Sequence, residues 1–436
     1  MVPDRPADGP RILLVTNNLP PVRGGSAIVY DNLARHAGGA VVVVAPRLSY
    51  LDGLPLIAWR EHDRLAPYRV IRLALLRTVM AASAPARWFA RLGFRLRDAA
   101  IRARLLALVA RHALRGRASA VCVGELVASA WLLGALRAGF PWVTRAVYVH
   151  GEEITTNDDY DTSLNRRRRA LLAAHHVVVV SRFTATVVAD LLGEAGRGRI
   201  RLIENGVDVA RFRPVPRAPD LMARFGLDDC FVYVSVCRLL EKKGIDHAIR
   251  AFAEVAAQYP GSRYLVVGDG PYRAALEALA AGCGVADRVV FAGAVADADL
   301  VDHYALGDVF VMPNRRLANG DTEGFGLVFL EANACGLPVI AGSDGGSIDA
   351  VRHGVNGLLV DGHSVAGIVG AMLELRADAA LRARLREGGL AAAAAADWRH
   401  KARAFVALFD DKARRGSALD PPGPLAPDPA RLRSGS

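Results

Sequence analysis

Short apolar runs alternate along this chain with stretches that have helical periodicity. The run RILLVT at residues 11–16 precedes a polar loop, the helical stretch AIVYDNLARHA and a second apolar run, AVVVVAP. Continuous apolar runs of this length are typical of parallel strands that helices cover on both faces. The N-terminal part therefore predicts a βαβ unit, the building block of α/β proteins.

The same alternation continues through the first half of the chain and restarts in the second. Further strands are predicted in the first half at AVCVG (120–124), WVTRAVYVH (142–150) and HHVVVVS (175–181). The proline-rich and charged stretch NGVDVARFRPVPRAPD then predicts an interdomain linker. Beyond it, the predicted strands are FVYVSVC, YLVVGDG, RVVFAG, DVFVMPN and PVIAG, and the predicted helices are 245–258, 272–282, 298–306 and 325–335.

This pattern predicts an α/β fold of two Rossmann-like domains, each a doubly wound parallel sheet, which face a cleft. We expect an N-terminal domain over residues 10–208 and a C-terminal domain over 209–396. The Pro/Gly/Ser/Arg-rich residues 414–436 are expected to be a disordered tail.

Composition limits the partners and the compartment. The formal charge is +11, from 55 Lys and Arg against 44 Asp and Glu, which favours an anionic partner such as phosphate, nucleic acid or an acidic membrane. The five cysteines form neither a CxxC motif nor a Cys/His cluster, so we expect no structural zinc, no disulfide framework and a cytoplasmic location. The N-terminus does not resemble a signal peptide, and no apolar run is long enough to span a membrane.

Residues 86–117 combine many arginines with an apolar stripe of helical spacing. Its members are Phe89, Leu92, Leu96, Leu105 and Val109. A basic amphipathic helix can lie on an anionic membrane, but a solvated surface helix gives the same pattern, and the sequence leaves both interpretations open. The run RRRR at 166–169 is interpreted as helix surface.

Two acids, Glu323 and Glu331, flank a glycine-bracketed turn in DTEGFGLVFLEANACGLPVIAG. If a helix begins near Gly324, the two acids lie roughly 12 Å apart along its axis and within about 80° of one face. Glycines 324 and 326 would let the chain approach a ligand closely, and free amides at the helix start could donate to its oxygens. Such a spacing suits hydroxyls at the two ends of a long ligand better than a glycosidase acid pair about one bond.

Other candidate residues follow predicted strands, where ligands bind in doubly wound sheets. Gly24 and Gly25 open a helix whose amides could hold phosphate, and His150 could reach a ligand from a strand end. Arg238 and Lys243 place positive charge that suits a diphosphate. GDGPYR carries Arg273 where a dinucleotide fingerprint needs its third glycine, which disfavours a dehydrogenase. For each candidate a purely structural role remains the alternative.

Taken together, EGFGLVFLEANACGLPVIAG, CRLLEKKG, VVGDGP, ENGVD, SRFTAT and VHGEE resemble the retaining GT-B glycosyltransferases of glycosyltransferase family 4, over about residues 10–400. The E-x7-E element is the most specific part of the likeness. The sequence is similar in particular to the phosphatidylinositol-mannoside mannosyltransferases.

The resemblance implies a role for each candidate residue. Glu323 would bind hydroxyls of the donor sugar, Glu331 the nucleotide ribose, and Arg238 and Lys243 the diphosphate. Donor contacts would also come from Gly324, from the amides of Phe325, Gly326 and Leu327, from Val295 beside the base and from Gly24 and Gly25. His150 would contact the donor sugar near its reacting carbon, and the helix at 397–413 would pack back on the N-terminal domain.

The implied activity is metal-independent transfer of a hexose, of mannose, glucose or N-acetylglucosamine type, with retained configuration. The donor would be a GDP- or UDP-linked sugar, with no further cofactor, and the acceptor a lipid-linked or soluble small molecule. No nucleic-acid partner is expected for such an enzyme. A peripheral position at the inner face of the plasma membrane would fit a lipid acceptor. Two alternatives remain: a sugar-phosphate phosphorylase of the same fold, and a non-enzymatic basic protein that binds membrane or nucleic acid.

Overall fold

The computed structural model describes residues 9–79, 88–155 and 165–410. The described chain forms two compact units. The first takes in residues up to Ile203 and again from Lys401 onward, and the second spans Glu204–His400 together with Thr155. The predicted domain boundary at residue 208 stays a prediction, and the expected tail at 414–436 lies outside the described residues.

The first unit is built on a seven-stranded sheet in which every neighbouring pair is parallel. Its strands are β1 (Ile12–Val15), β2 (Val41–Pro46), β3 (Arg69–Leu73), β4 (Ala120–Val123), β5 (Thr144–Val149), β6 (His176–Val179) and β7 (Ile200–Leu202). Its helices are α1 (Gly25–His36), α2 (Trp59–Leu65), α3 (Trp88–Leu114), α4 (Leu126–Gly139), α5 (Glu152–Thr155), α6 (Asn165–Ala173), α7 (Arg182–Leu192) and α8 (Glu194–Arg197). The strand order is β3-β2-β1-β4-β5-β6-β7.

The second unit repeats this plan with six parallel strands in the order β10-β9-β8-β11-β12-β13. The strands are β8 (Phe231–Val236), β9 (Ser262–Val267), β10 (Val289–Gly293), β11 (Val309–Met312), β12 (Val339–Gly342) and β13 (Gly357–Val360). The helices are α9 (Pro219–Phe225), α10 (Ile245–Gln258), α11 (Arg273–Gly282), α12 (Leu300–Ala305), α13 (Leu327–Ala334), α14 (Ser347–Ala350), α15 (Val365–Ala377) and α16 (Ala379–Ala395). A last helix, α17 (Trp398–Ala407), begins in the second unit and continues into the first.

Burial explains why these runs form central strands. All four residues of β1 are buried, and they pair with Val41–Val44 on one side and Ala120–Val123 on the other. A strand with helices on both faces has no solvent side, so its apolar residues are continuous rather than alternating. The predicted α/β class and the two Rossmann-like parallel sheets are confirmed.

In both sheets the chain reverses its direction of travel beside the first strand. This topological switch point lies between β1 and β4 in the first unit and between β8 and β11 in the second. Loops that follow the two adjacent strands open a crevice at the carboxyl edge of such a sheet, and ligands bind there. The residues that follow β1, β4, β8 and β11 therefore decide where each site lies.

The predicted apolar stripe of the basic helix does not form one continuous face. Leu105 and Val109 are fully buried, whereas Leu92 is 50% and Leu96 63% exposed. The second half of α3 thus packs into the core of the first unit, and its first half presents leucines to solvent. Among the helices of the described chain, none is long and apolar enough to cross a membrane.

Candidate functional site

The loops after β8 and β11 bring together two lysines and two acids at the switch point of the second sheet. Lys243 Nζ donates to Glu323 Oε2, and Lys242 Nζ donates to Asp321 Oδ1 at 2.7 Å. We call these four residues the Lys243 cluster. The sequence separates the lysines from the acids by about 80 residues, and parallel strands unite them because their carboxyl ends share one edge.

The central pair of this cluster is ionised although it is largely removed from water. The side chains of Lys243 and Glu323 are only 14% and 13% exposed. Burial favours the neutral carboxyl of Glu323, but the ammonium of Lys243 outweighs it and lowers the pKa of that acid. Burial likewise favours the neutral amine of Lys243, yet the carboxylate raises its pKa. Each charge is maintained by its partner.

Glu323 lies in the turn before α13 rather than on the helix. The helix starts at Leu327, with Gly326 at its N-cap position in the left-handed region at φ 87°. A Cβ at Gly326 would lie 2.5 Å from the ring of Phe329, so only glycine allows this turn. The predicted start near Gly324 is wrong, and the axial spacing calculated from Glu323 does not apply.

One backbone amide of this turn already has a hydrogen-bond partner within the protein. The amide of Phe325 interacts with the Glu323 carboxylate and helps to lower its pKa. Phe325, Gly326 and Leu327 are buried, and Gly324 is half-buried. The predicted donor role of these amides stays a prediction.

Glu331 lies in the second turn of α13 and is buried at 7% exposure. The hydroxyl of Tyr304, on α12, donates to its Oε2 at 2.8 Å. Burial raises the pKa of Glu331 to about 6, although the Tyr304 hydrogen bond opposes the rise. The sequence did not indicate Tyr304, because a tyrosine inside a short helix carries no signal for a distant acid.

Arg238 differs from the Lys243 cluster in being exposed. It follows β8 by two residues, and its side chain makes no hydrogen bond or ion pair with another residue of the described chain. The loop that contains Arg238 packs closely against the GDGP motif at Gly268. A Cβ at Gly268, at φ 130°, would lie 1.9 Å from the carbonyl oxygen of Cys237, so glycine lets the two loops meet.

Val295 is half-buried and follows the edge strand β10, which ends at Gly293. In the first unit, Gly25 starts α1, Gly24 precedes it as N-cap, and both are exposed. Val295 thus lies just beyond a strand end and the two glycines lie at a helix start, and their roles as ligand contacts stay predictions.

His150 follows β5 and belongs to a second polar group, in the first unit. Its Nε2 lies 2.7 Å from the hydroxyl of Tyr30, and its backbone amide donates to Glu153 Oε1 at 2.9 Å. The imidazole stacks on the ring of Tyr148 with centroids 5.1 Å apart. Burial lowers the pKa of His150 to about 3 and raises the pKa of Glu153 to about 7.

Glu125, which follows β4, was missed by the sequence reasoning. Both of its carboxylate oxygens accept from the backbone amide of Asn17, at 3.1 and 3.0 Å, and Thr16 and Asn18 donate to it as well. Burial raises the pKa of Glu125 despite these donors. Its position directly after a strand at the switch point is a signal that could have identified it.

We call Tyr30, Gly124, Glu125, His150 and Glu153 the His150 cluster. The Tyr30 hydroxyl donates to the carbonyl of Gly124, which is the residue between β4 and Glu125. The end of β4 therefore anchors both α1, through Tyr30, and the loop after β1, through Glu125.

No group of three or more His, Cys, Asp and Glu side chains that could hold a metal is present within residues 9–79, 88–155 and 165–410. The DxD-type element Asp159-Tyr160-Asp161 lies outside those ranges.

Comparison with known proteins identifies the class to which this fold and these clusters belong. The family model Glycosyl transferases group 1 matches residues 220–391, the part that contains the Lys243 cluster and Glu331. The fold is similar to crystal structures of Anabaena HepE in complex with UDP, with a TM-score of 0.69, 21% identity and coverage of 92% of this chain and 99% of that one. Sucrose-phosphate synthase from Thermosynechococcus elongatus gives a TM-score of 0.69 at 24% identity, with coverage of 92% and 98%. The molecule is a glycosyltransferase of the GT-B fold.

Curated relatives narrow this class to a family. The chain is 35% identical over 378 residues to the GDP-mannose-dependent alpha-(1-6)-phosphatidylinositol monomannoside mannosyltransferase of Mycobacterium tuberculosis (strain CDC 1551 / Oshkosh), covering 84% of this chain and 89% of the relative. It is 33% identical over 379 residues to the protein of the same name from Mycolicibacterium smegmatis, with coverage of 84% and 89%. The chain belongs to the group 1 glycosyltransferases that include these mannosyltransferases. A purely non-enzymatic role is therefore set aside.

Proposed function

We propose that this enzyme transfers a hexose, mannose in the first instance, from a GDP-linked donor to a hydroxyl of a phosphatidylinositol mannoside, with retained configuration. The Lys243 cluster at the switch point of the second sheet is the observation that carries this proposal. The names of the two mycobacterial relatives support GDP-mannose as donor and a phosphatidylinositol monomannoside as acceptor.

The second unit binds the donor in this proposal. The diphosphate takes Arg238 and Lys243 as its cations, and the amide groups at the N-terminus of α13 add the positive end of the helix dipole. Lys243 then exchanges Glu323 for a phosphate oxygen, which frees the Glu323 carboxylate to accept hydrogen bonds from sugar hydroxyls. Glu331, held by Tyr304, accepts from the ribose.

The chemistry follows from where charge develops. The bond between the anomeric carbon and the diphosphate oxygen breaks, and a bond to the acceptor oxygen forms on the same face of the sugar. The acceptor proton passes to an oxygen of the departing diphosphate. Negative charge grows on that diphosphate, so Arg238 and Lys243 stabilise the transition state more than the ground state, which is the part a metal ion plays in other transferases.

The test is the transfer of radiolabelled mannose from GDP-mannose to phosphatidylinositol monomannoside, with wild-type enzyme and with Glu323→Gln. We expect the variant to lose at least a hundredfold in turnover, because the amide retains the shape of the acid but not its charge. Its melting temperature should fall as well, since Lys243 loses the carboxylate that balances its buried charge, so turnover is measured at a temperature where the variant is folded. Glu254→Gln, an exposed position on α10, is the matched control. Near-normal turnover of Glu323→Gln would refute the donor role.

Two further measurements examine the finer parts of the proposal. Proton NMR of the newly formed glycosidic linkage reports whether configuration is retained, and an inverted anomer would contradict that part. A thermal-shift comparison of GDP, UDP and their sugars identifies the nucleotide, because a ligand raises the melting temperature according to its affinity. Stronger protection by UDP would move the donor assignment away from GDP.

A lipid acceptor implies contact with a membrane, and the first unit offers a surface for it. Four aliphatic side chains between β2 and β3 are exposed: Leu51 (57%), Leu54 (62%), Ile57 (88%) and Leu65 (66%). We call this segment the aliphatic loop. It spans residues 51–65, includes helix α2, and follows the carboxyl end of β2 on the sheet edge that also carries His150. Its exposed charged residues are Arg60 and Arg64, together with Asp52 and Glu61. Exposed aliphatic residues beside cations fit an anionic bilayer.

The backbone of the aliphatic loop is strained where it is most exposed. Ala58, next to Ile57, has a φ of 63°, in the left-handed region that non-glycine residues rarely adopt. Strain of this kind persists where function or the surrounding structure requires it. Because its four exposed aliphatic side chains lie close together in sequence, we place membrane contact on the aliphatic loop rather than on the basic helix α3.

Vesicle flotation tests whether the aliphatic loop or helix α3 contacts the membrane. We expect binding to vesicles of phosphatidylglycerol and phosphatidylcholine, and not to phosphatidylcholine alone. The variant Leu54→Ser/Ile57→Ser should lose this binding, whereas Leu92→Ser/Leu96→Ser on α3 should retain it. The reverse result would assign membrane contact to α3, and binding that ignores lipid charge would contradict the role of the arginines.

A further inference from the structure

The hydroxyl of Tyr30 joins two elements of the first unit that are distant in sequence. Tyr30 is fully buried on α1. Its hydroxyl donates to the carbonyl oxygen of Gly124 and lies 2.7 Å from Nε2 of His150. Gly124 admits this approach, because a Cβ there would lie 2.8 Å from Cζ and 2.9 Å from the hydroxyl oxygen of Tyr30.

Counting protons assigns the imidazole tautomer. A carbonyl oxygen can only accept a hydrogen bond, so the single hydroxyl proton of Tyr30 points to Gly124. The contact between the Tyr30 oxygen and His150 Nε2 then needs a proton on Nε2. A neutral imidazole carries one proton, and Nδ1 is therefore left as a bare acceptor.

The surroundings of His150 keep the ring neutral and hold its orientation. Burial lowers the pKa of His150 to about 3, so the imidazole is uncharged at physiological pH. The ring stacks on Tyr148 and meets Tyr30 edge to face, with centroids 5.2 Å apart. Nδ1 makes no hydrogen bond with another residue of the described chain, and the side chain is only half-buried. A ligand hydroxyl is a suitable partner for this nitrogen.

We propose that Tyr30 is a positioning residue that fixes His150 in the Nε2–H tautomer, so that Nδ1 accepts a hydrogen bond from a hydroxyl of the sugar substrate. This inference rests on the proposed function, because it takes His150 to contact the sugar. It assigns His150 the role of an acceptor that orients a hydroxyl. A proton donor at this position would need the opposite tautomer or a charged ring.

Replacing Tyr30 with Phe removes the acceptor for the Nε2 proton and leaves the carbonyl of Gly124 without its donor. The imidazole then gains little from keeping its proton on Nε2, and both tautomers become populated. We expect kcat to fall about tenfold, the equivalent of one hydrogen bond in the transition state. The KM for GDP-mannose should change less than twofold, since Arg238, Lys243 and Glu331, the residues proposed to bind the diphosphate and the ribose, lie in the second unit.

The matched control is Tyr68→Phe. Tyr68 is also buried in the first unit and also loses one hydroxyl, but its partner is Asp31, at 2.5 Å. Its kcat should stay at the wild-type value. A second pair of variants tests Nδ1 without altering Tyr30. The Oδ1 of His150→Asn occupies nearly the place of Nδ1 and the amide of His150→Gln nearly the place of Nε2, so we expect Asn to retain more activity than Gln.

Nitrogen-15 NMR of histidine-labelled protein reads the tautomer directly, in the full-length enzyme and without substrate. We expect the His150 signals of the wild type to show a protonated Nε2 and a bare Nδ1 unchanged from pH 5 to pH 8, and those of Tyr30→Phe to show a mixture. A protonated Nδ1 in the wild type would overturn the proposal. So would a Tyr30→Phe variant with unaltered tautomer and kcat.

The NMR measurement separates this inference from the proposed function. An enzyme that shows the Nε2–H tautomer but transfers no mannose to the lipid acceptor would refute the acceptor assignment and leave the tautomer intact. If Tyr30→Phe does not fold, the wild-type spectrum and the comparison of His150→Asn with His150→Gln still decide the question.

Discussion

The two polar clusters of this enzyme differ in the charge state of their buried groups. In the Lys243 cluster of the second unit, ammonium groups face carboxylates, and the attraction holds the pKa of Glu323 below its ordinary value. In the His150 cluster of the first unit, burial raises the pKa of Glu125 and Glu153 and lowers that of His150. One cluster is charged and the other tends toward neutrality.

The difference indicates which ligand group each cluster suits. The cation of an ion pair can exchange its carboxylate partner for a phosphate, because the cation is already in place and already desolvated. A neutral imidazole flanked by aromatic rings can bind a hydroxyl without the cost of burying a charge. The contrast supports an anionic donor on the second unit and a sugar hydroxyl at the His150 cluster.

The largest expected effect comes from breaking the charged pair. Lys243→Met leaves the Glu323 carboxylate buried without its closest cation, which should lower the free energy of unfolding by about 3 kcal/mol and abolish transfer. The double variant Lys243→Met/Glu323→Gln should regain most of this stability but no activity. Urea unfolding of both variants measures the difference. Equal stability of the single and double variants would show that the pair is not coupled.

A smaller effect on stability, with a large effect on rate, is expected at Arg238. Because Arg238 is exposed, Arg238→Ala should change the free energy of unfolding by less than about 0.5 kcal/mol. Loss of a cation for the leaving diphosphate should nevertheless lower kcat about a hundredfold. Arg250→Ala, at an exposed position on α10, is the control and should turn over normally. Unchanged kcat in Arg238→Ala would show that Arg238 does not bind the leaving diphosphate.

The smallest expected effect is a pH-dependent change in stability, which tests whether Glu153 of the His150 cluster has a raised pKa. The pKa of Glu153 is raised from 4.5 to about 7, so the folded chain retains a proton that the unfolded chain releases between these values. The contribution of Glu153 to the free energy of unfolding is fully present below pH 4.5, and it is lost as the pH rises through 7. Glu153→Gln keeps a neutral acceptor for the His150 amide and does not titrate.

We therefore expect Glu153→Gln to match the wild type at acid pH and to be more stable by about 1–2 kcal/mol at pH 8. Thermal unfolding measured across this pH range decides the sign. Glu152→Gln, at the exposed neighbouring position, should show no such gain. A variant that is no more stable than the wild type at pH 8 would mean that folding does not raise the pKa of Glu153.

Sequence patterns predicted most of the fold because each central strand carries its own signal. The helix predicted at 245–258 matches α10 (Ile245–Gln258), and the apolar runs of the central strands all form strands. Three strands at or next to the sheet edges were not predicted. β3 contains two arginines among its five residues, β7 has only three residues, and β13 begins with glycine. Strands of this kind gain their conformation from a neighbour rather than from their own composition.

The donor-side candidates could be found in the sequence because they lie in short contiguous motifs. Glu323 occurs in EGFG, before a predicted helix, and Lys243 occurs in EKKG, after a predicted strand. Their pairing could not be predicted, since neither motif specifies the other. Tyr304 was missed for the same reason, because it acts on Glu331, which lies far away along the chain. Glu125 follows a strand at the switch point, but its partners after β1 are equally distant in sequence.

The sequence by itself determined the two parallel sheets, the polar strand ends and the family, because all of these depend on local pattern. Only the tertiary structure decided which polar groups meet. Lys243 reaches Glu323 across about 80 residues and Tyr30 reaches His150 across about 120, through the shared carboxyl edges of parallel strands. Whether a buried acid is ionised depends on that meeting, because in a low-dielectric interior the nearest opposite charge outweighs the penalty of burial.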